Sequence, residues 1–394
     1  MIAAPRVLFV TRRFWPLAND NVSRWLSLAD ALRNAGWQVQ LLTAQWHSAW
    51  PEQVELRDMR VNRVGPSPTT AFRAKRYSRS VSDWLAKNAH AFDCVVIDSS
   101  EDEVLTLTAH PCKEIPAVIV RYDSYEGVGP LLERQRARGQ MACQQAALVV
   151  VPHEHARREL VASGVPTSRI ATVPDGPISK IPRDEQSRSQ ARRALADINH
   201  ELFLRSDDRL CICPSDLTKS AALELLVRTL GPFLETHRGL RCWLVGDGPD
   251  RARLFDLIRR EGWRHDILMP GTFEDLDVVL AAADLCVIPG CSQGLSWLVP
   301  TALTNGLTTF LCDSPAARSR LGNSAGALMF EQGNAQQLGA LLQNWFEKPG
   351  QWKSPMANIC QRLQSTPPTV ERWRDLVAQL AHVPQRARLP ASKT

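Results

Sequence analysis

A chain of 394 residues, 44% hydrophobic and 22% charged, has apolar material for two packed domains, which excludes a disordered or fibrous protein. Its 47 Lys and Arg against 41 Asp and Glu give +6, spread over both halves and too weak a balance to mark a nucleic-acid partner. The ten cysteines include no C-x-x-C pair, the first apolar run meets Arg12 and Arg13 too soon for a signal peptide, and no stretch approaches the roughly 18 uncharged apolar residues of a membrane span. These features predict a reduced, cytoplasmic protein, peripheral to the inner face of a membrane at most.

In chain order, short apolar runs alternate with amphipathic stretches, the pattern of βα units around parallel sheets. VLFVT at 7–11 predicts a strand, 22–34 a helix with Trp25, Leu28, Ala29 and Leu32 on one face, and Gly36 its stop before the strand VQLLT. Further strands are expected at 94–98, 117–122, 147–152 and 170–174, completing a first doubly wound domain over 1–178. A polar, highly charged stretch follows and reads as a linker and helix over 179–204. The second alternating series, over 205–364, starts at RLCICP, has a helix over about 220–235, and continues through RCWLVGDGP, DILMPG, DLCVIPG and LTTFLCD. The last helix is expected over 365–383.

Open parallel sheets take ligands at the carboxyl ends of their strands, so two in tandem predict a central cleft faced by both domains. The chain has neither G-x-G-x-x-G after the first strand nor G-x-x-x-x-G-K-[ST]. Gly246-Asp247-Gly248-Pro249 is a strand-to-helix turn whose glycines allow positive φ; a tight turn and a ligand loop both fit it. His153 and His155 follow a strand end, where a helix start competes with a role in the cleft, and no Cys or carboxylate set completes a metal site. Asp98 to Glu103 is read as helix capping and dipole compensation. Arg73, Lys75, Arg76 and Arg79 form a basic cluster that a solvated face, an acidic lipid or an anionic acceptor would each explain. Trp15 and Trp46 are core candidates with a saccharide-stacking alternative.

LVGDGPDRARL, then ILMPGTFEDLDVVLAAADLCVIPG, then CSQGLSWLVPTALTNGLTTFLCD, in that order, resemble the second domain of retaining, nucleotide-sugar-dependent glycosyltransferases of family four. RFWPLANDNVSRWLSLADALRNAGWQVQLLT resembles that family's first loop and helix, and VPDGP its turn before the linker. The resemblance implies the GT-B fold, an α/β architecture of two doubly wound parallel-sheet domains facing a central cleft, with the last helix, over 365–383, packing back on the first domain. It also implies a nucleotide sugar as co-substrate, no required metal or other cofactor, and a saccharide or lipid-linked acceptor on the side of the first domain.

By that resemblance the donor-side positions are Asp216, Lys219, Ala221, Gly246, Gly248, Gln293, Gly294, Leu295 and Thr301. The acceptor-side positions are Asn19, Asp20, Arg121, Tyr122 and His153. The chain departs from the family at most of them. Gln293 and Thr301 stand where the family has Glu residues that contact the donor sugar and the ribose, and Tyr122 stands where it has a His. Asp216 and Ala221 fall where an Arg and a Lys neutralise the donor diphosphate, with Lys219 close by as a substitute, and Asn19-Asp20 replace a glycine pair. The reading is therefore a glycosyltransferase-family protein with a degenerate donor site. The alternative is a non-catalytic relative that binds a saccharide or a partner enzyme and serves as a scaffold in polysaccharide assembly.

Overall fold

The computed structural model describes residues 4–15, 20–68, 70–98, 117–122, 137, 139–177, 179–273, 276–290, 297–364 and 369–381. The chain divides into two compact units, one of residues 1–14, 24–174 and 368–394, the other of 15–23 and 175–367.

Unit 1 is built on an eight-stranded sheet. Its strands are β1 (Arg6–Val10), β2 (Gln38–Ala44), β3 (Gln53–Leu56), β4 (Met59–Val64), β5 (Cys94–Asp98), β6 (Ala117–Arg121), β7 (Leu148–Val151) and β8 (Ile170–Thr172), in the order β3-β4-β2-β1-β5-β6-β7-β8. All neighbours are parallel except the β3/β4 hairpin at one edge. Val7 to Val10 and all of β5 are buried, as strands covered on both faces must be, which is why they read as unbroken apolar runs. The described helices of this sheet include α1 (Asp20–Asn34), α2 (Ala71–Asn88) and α3 (Glu154–Ala162). In α1, Trp25 packs 5.1 Å from Phe9 on β1.

The hairpin was not expected from the sequence. Its turn residues, Arg57 and Asp58, both adopt left-handed backbone (φ 47° and 54°), a conformation that usually calls for Asn-Gly. The alternation Val54, Leu56, Met59, Val61 was the available signal; without a glycine, nothing announced the turn.

Unit 2 opens with α4 (Glu185–Ile198), capped by Asp184, whose carboxylate accepts from the Ser187 N–H at 2.9 Å. Three arginines fasten the start of this unit to its sheet. Arg188 and Arg192 bind the two oxygens of Asp284 at 2.8 and 2.7 Å, and Arg183 reaches the Ala283 carbonyl at 2.7 Å. The sheet has six parallel strands: β9 (Arg209–Pro214), β10 (Leu240–Val245), β11 (Ile267–Gly271), β12 (Leu285–Ile288), β13 (Thr308–Cys312) and β14 (Met329–Phe330). Their order is β11-β10-β9-β12-β13-β14. Helices α5 (Leu223–Thr236), α6 (Arg251–Arg260), α7 (Leu276–Ala282), α8 (Leu298–Thr304), α9 (Pro315–Leu321), α10 (Ala335–Glu347) and α11 (Lys353–Gln364) accompany it. Cys211, Cys213, Cys242 and Cys286 lie fully buried in this core; burial pushes the Cys286 thiol up to about 12, so these are inert core groups.

The last helix, α12 (Thr369–Ala381), belongs to unit 1. Trp373 meets Trp25 edge-on at 6.1 Å, and the Thr369 hydroxyl donates to the Pro174 carbonyl at 2.7 Å. Among the described residues no helix is long and apolar enough to cross a membrane.

Candidate functional site

Each sheet has a point from which the strand order runs outward in both directions, and folds of this kind take ligands there, outside the carboxyl ends of the strands. In unit 2 that point lies where β9 adjoins β12; in unit 1, where β1 adjoins β5.

In unit 2 the loop after β9 is drawn against the loop after β10 by backbone alone. Ser215 N–H donates to the Val245 carbonyl (2.8 Å), Leu217 N–H to Asp247 (3.1 Å), and Asp250 N–H back to Leu217 (2.9 Å). Only glycine permits this approach. At Gly246, with φ +144°, an added Cβ would lie 1.9 Å from the Ser215 carbonyl oxygen; at Gly248 it would lie 2.5 Å from that of Leu217. Positive φ is thus the requirement at Gly246 alone; Gly248 is needed for space.

The residues between β9 and α5 are less open than the sequence suggested. Leu217 and Ala221 are fully buried, Asp216 is half-buried and Lys219 exposed. Helix α5 starts at Leu223, later than the expected position near 220, because residues 219–221 form a 3-10 turn and Ala222 then takes left-handed backbone at φ 52°. Such backbone strain in a non-glycine residue persists only where its surroundings hold it.

The charges near these loops form a chain. Arg253 donates to both oxygens of Asp250 (2.8 and 2.6 Å) and also to Glu224, which in turn accepts from Arg228 at 2.9 Å. The Arg253 hydrogen bonds hold the Asp250 and Glu224 carboxyls below the usual carboxylate range, and the Lys219 charge adds to the effect on Asp250. Arg251, which the sequence reading did not single out, donates to the carbonyls of Met269 (2.8 Å) and Gly246 (3.4 Å). A buried pair, Arg320 on α9 and Asp175 at 3.3 Å, was also missed. The VPDGP turn that holds Asp175 was the only trace of it.

Of the remaining donor-side positions, Gln293, Gly294 and Leu295 lie outside the described residues. Thr301 is completely buried within α8, and its carbonyl accepts from Asn305 Nδ2 at 2.8 Å. The structure therefore brings Asp216, Lys219, Gly246 and Gly248 to one pair of loops, while Ala221 and Thr301 present no surface to a ligand in this conformation.

In unit 1 the carboxyl edge is lined by buried polar groups set side by side by strand register. Asp98 ends β5 opposite Arg121 of β6, and their side chains, 2% and 3% exposed, pair at 3.8 Å. Thr11 follows β1, Tyr122 follows β6 and His153 follows β7, and all three are buried. His153 caps α3: its Nδ1 accepts from the Ala156 N–H at 3.1 Å, and its ring stacks on His155 at 6.1 Å. Arg121, Tyr122 and His153 thus share one edge, joined by Asp98, which pairs with Arg121; the helix that residues 98–103 were expected to cap lies outside the described residues. Asn19 lies outside the described residues; Asp20 is the first residue of α1, and its side chain is not among those described. Trp46 is half-buried, with Arg13 over its ring at 5.4 Å and its Nε1 donating to the Arg12 carbonyl at 2.8 Å. Among the described residues, no cluster of three or more His, Cys, Asp or Glu could hold a metal ion.

Two family models match the chain. The glycosyl transferase 4-like domain matches residues 22–176, and the glycosyl transferases group 1 domain matches residues 208–347. The chain belongs to the GT-B glycosyltransferases.

Solved structures with the same architecture include sucrose-phosphate synthase from Thermosynechococcus elongatus, with a TM-score of 0.71 at 15% identity over 95% of this chain and 99% of that one. WaaG, a glycosyltransferase involved in lipopolysaccharide biosynthesis, matches with a TM-score of 0.69 at 15% identity over 94% and 99% of the two chains. HepE of Anabaena, solved in complex with UDP-glucose, matches with 0.69 at 12% identity over 96% and 100%. These likenesses establish the fold. A comparison with curated proteins gives no match for this glycosyltransferase.

Proposed function

We propose that this glycosyltransferase moves a sugar from a nucleotide-sugar donor to a saccharide or lipid-linked acceptor in polysaccharide or glycoconjugate biosynthesis, with retention of configuration, without a required metal, and with a weak hold on the donor diphosphate. The observation that carries the reading is the pair of loops locked together at Gly246 and Gly248 beside the point where the strand order reverses between β9 and β12, with Asp216 in the first of them. A hydrogen bond to a charged group is worth about 1.5–3 kcal/mol, so two missing cations at a diphosphate forfeit roughly 3–6 kcal/mol, or about two to four decades of affinity. Lys219 is a poor replacement, since its charge already acts on Asp250.

The same observation supports a second reading, a saccharide-binding or scaffold protein of the family that has given up turnover. Calorimetry with UDP, GDP, ADP and their sugars separates the two. Weak binding in the millimolar range, together with nucleotide release when acceptor is added, supports the enzyme; no heat and no thermal shift with any nucleotide supports the scaffold. Asp216→Arg removes a carboxylate and supplies a fork for phosphate oxygens, so it should tighten nucleoside-diphosphate binding at least about tenfold, or 1.4 kcal/mol, and less so at high salt. The variant is made alone, because a Lys at fully buried Ala221 would have to enter the core. Micromolar binding by the unaltered chain would overturn the weak diphosphate hold, and no response to Asp216→Arg would remove 215–217 from the phosphate site.

A further inference from the structure

Helix α2 lies on the surface of unit 1 and has two unlike faces. Ala74, Tyr77, Val81 and Leu85 are buried. Opposite them, Phe72, Lys75, Arg76, Arg79, Asp83 and Lys87 recur at spacings of three and four, which aligns them along one side of the helix, and every one is exposed. Phe72 begins this stripe and is 70% exposed. Arg73 flanks it, also exposed.

A solvated helix face ordinarily interleaves acids with its cations. Here five cations, Arg73, Lys75, Arg76, Arg79 and Lys87, share the helix with a single carboxylate, Asp83, and the first turn has no acid. Among the described residues none of the five takes part in an ion pair, although arginines elsewhere in the chain form many. An aromatic ring left in water at one end of a line of unpaired cations is the composition of a helix lying on an anionic interface: the ring enters the headgroup boundary and the cations meet lipid phosphates. The shape agrees. From Phe72 to Lys87 the stripe extends about 22 Å at 1.5 Å per residue, a straight line suited to a plane, whereas a phosphopeptide or a small anion needs cations converging on a point.

We infer that the outer face of α2, centred on Phe72, Lys75, Arg76 and Arg79, docks this chain on a bilayer containing anionic lipid. The inference does not rest on sugar transfer, since a chain without turnover presents the same face.

The test is co-sedimentation of the full chain with vesicles of phosphatidylglycerol mixed with phosphatidylcholine, against phosphatidylcholine alone. Each cation near an anionic surface accounts for about fivefold in partitioning, so Lys75→Gln/Arg76→Gln/Arg79→Gln should weaken binding to the mixed vesicles about a hundredfold. Phe72→Ala should weaken it about tenfold and persist in doing so at high salt. All four side chains are exposed, so circular dichroism and the melting temperature should not change. Arg259→Gln/Arg260→Gln, on the exposed side of α6, should bind as the unaltered chain does. The inference is overturned if the unaltered chain binds neither vesicle, if it binds phosphatidylcholine equally well, if the triple variant stays within twofold, or if inorganic phosphate at millimolar levels releases the chain.

Discussion

The two sheets finish their carboxyl edges in opposite ways. In unit 1 the edge is made of side chains: strand register sets Asp98 beside Arg121, and Thr11, Tyr122 and His153 fill the same row, all enclosed. In unit 2 the edge is made of backbone: the loops after β9 and β10 touch through N–H and carbonyl groups, and two glycines supply the room. A side-chain edge depends on charges staying paired, whereas a backbone edge depends on the absence of a Cβ. Different substitutions should therefore break each, and by different amounts.

The largest effect is expected at the backbone edge. Gly246→Ala forces a methyl to 1.9 Å from the Ser215 carbonyl oxygen at φ +144°, which must part the two loops and cost more than about 4 kcal/mol in urea unfolding. Gly306 provides the internal control: it also has positive φ (+78°), but no atom lies within 4 Å of an added Cβ, so Gly306→Ala should cost only about 1–2 kcal/mol. Equal costs at the two positions would mean that the 246–250 loop is free to move away, and the contrast between the edges would collapse.

At the side-chain edge the expected loss is similar in size but reversible by design. Arg121→Met removes the opposite charge from beside the Asp98 carboxylate, which is only 2% exposed, at about 3–5 kcal/mol, because breaking a buried pair from one side costs more than the pair contributes. Asp98→Leu added to Arg121→Met should restore most of that stability. A double variant no better than the single one would show that Asp98 does not depend on Arg121. No second substitution should rescue Gly246→Ala in the same way, because its clash is with the chain itself.

What the sequence disclosed follows the same division. Strands buried on both faces are apolar without interruption, so β1, β5, β6 and β7 were legible, as was the glycine turn at 246–249. The β3/β4 hairpin was not, because Arg57-Asp58 makes a turn normally signalled by glycine. Arg121 and Tyr122 were picked out as edge residues, yet the partner of Arg121 lies 23 positions earlier, and only the pairing of β5 with β6 brings Asp98 to it. Ala221 and Thr301 were assigned to the donor side by resemblance; their enclosure depends on how α5 and α8 pack, which a small side chain does not announce. The left-handed Ala222 left no mark either, since alanine usually argues for continuing a helix.

The smallest expected effect concerns the charges behind the backbone edge. Arg253 holds the Asp250 and Glu224 carboxyls below their ordinary range, so the folded state binds their protons less readily than the unfolded chain does. The stability they contribute is therefore complete above the unfolded carboxylate range, near pH 4, and is lost as pH falls through their lower folded values. Arg253 is 45% exposed and its contacts are partly screened, so Arg253→Ala should cost only roughly 0.5–1 kcal/mol at pH 7. Because protonation removes the Asp250 and Glu224 charges whether or not Arg253 is present, that cost should shrink as pH falls below about 4 and through their lowered folded values. Urea unfolding of the two proteins at pH 7 and pH 3 measures this directly. A cost unchanged between the two would assign Arg253 a packing role through its aliphatic stem, leaving the backbone edge of unit 2 without electrostatic support.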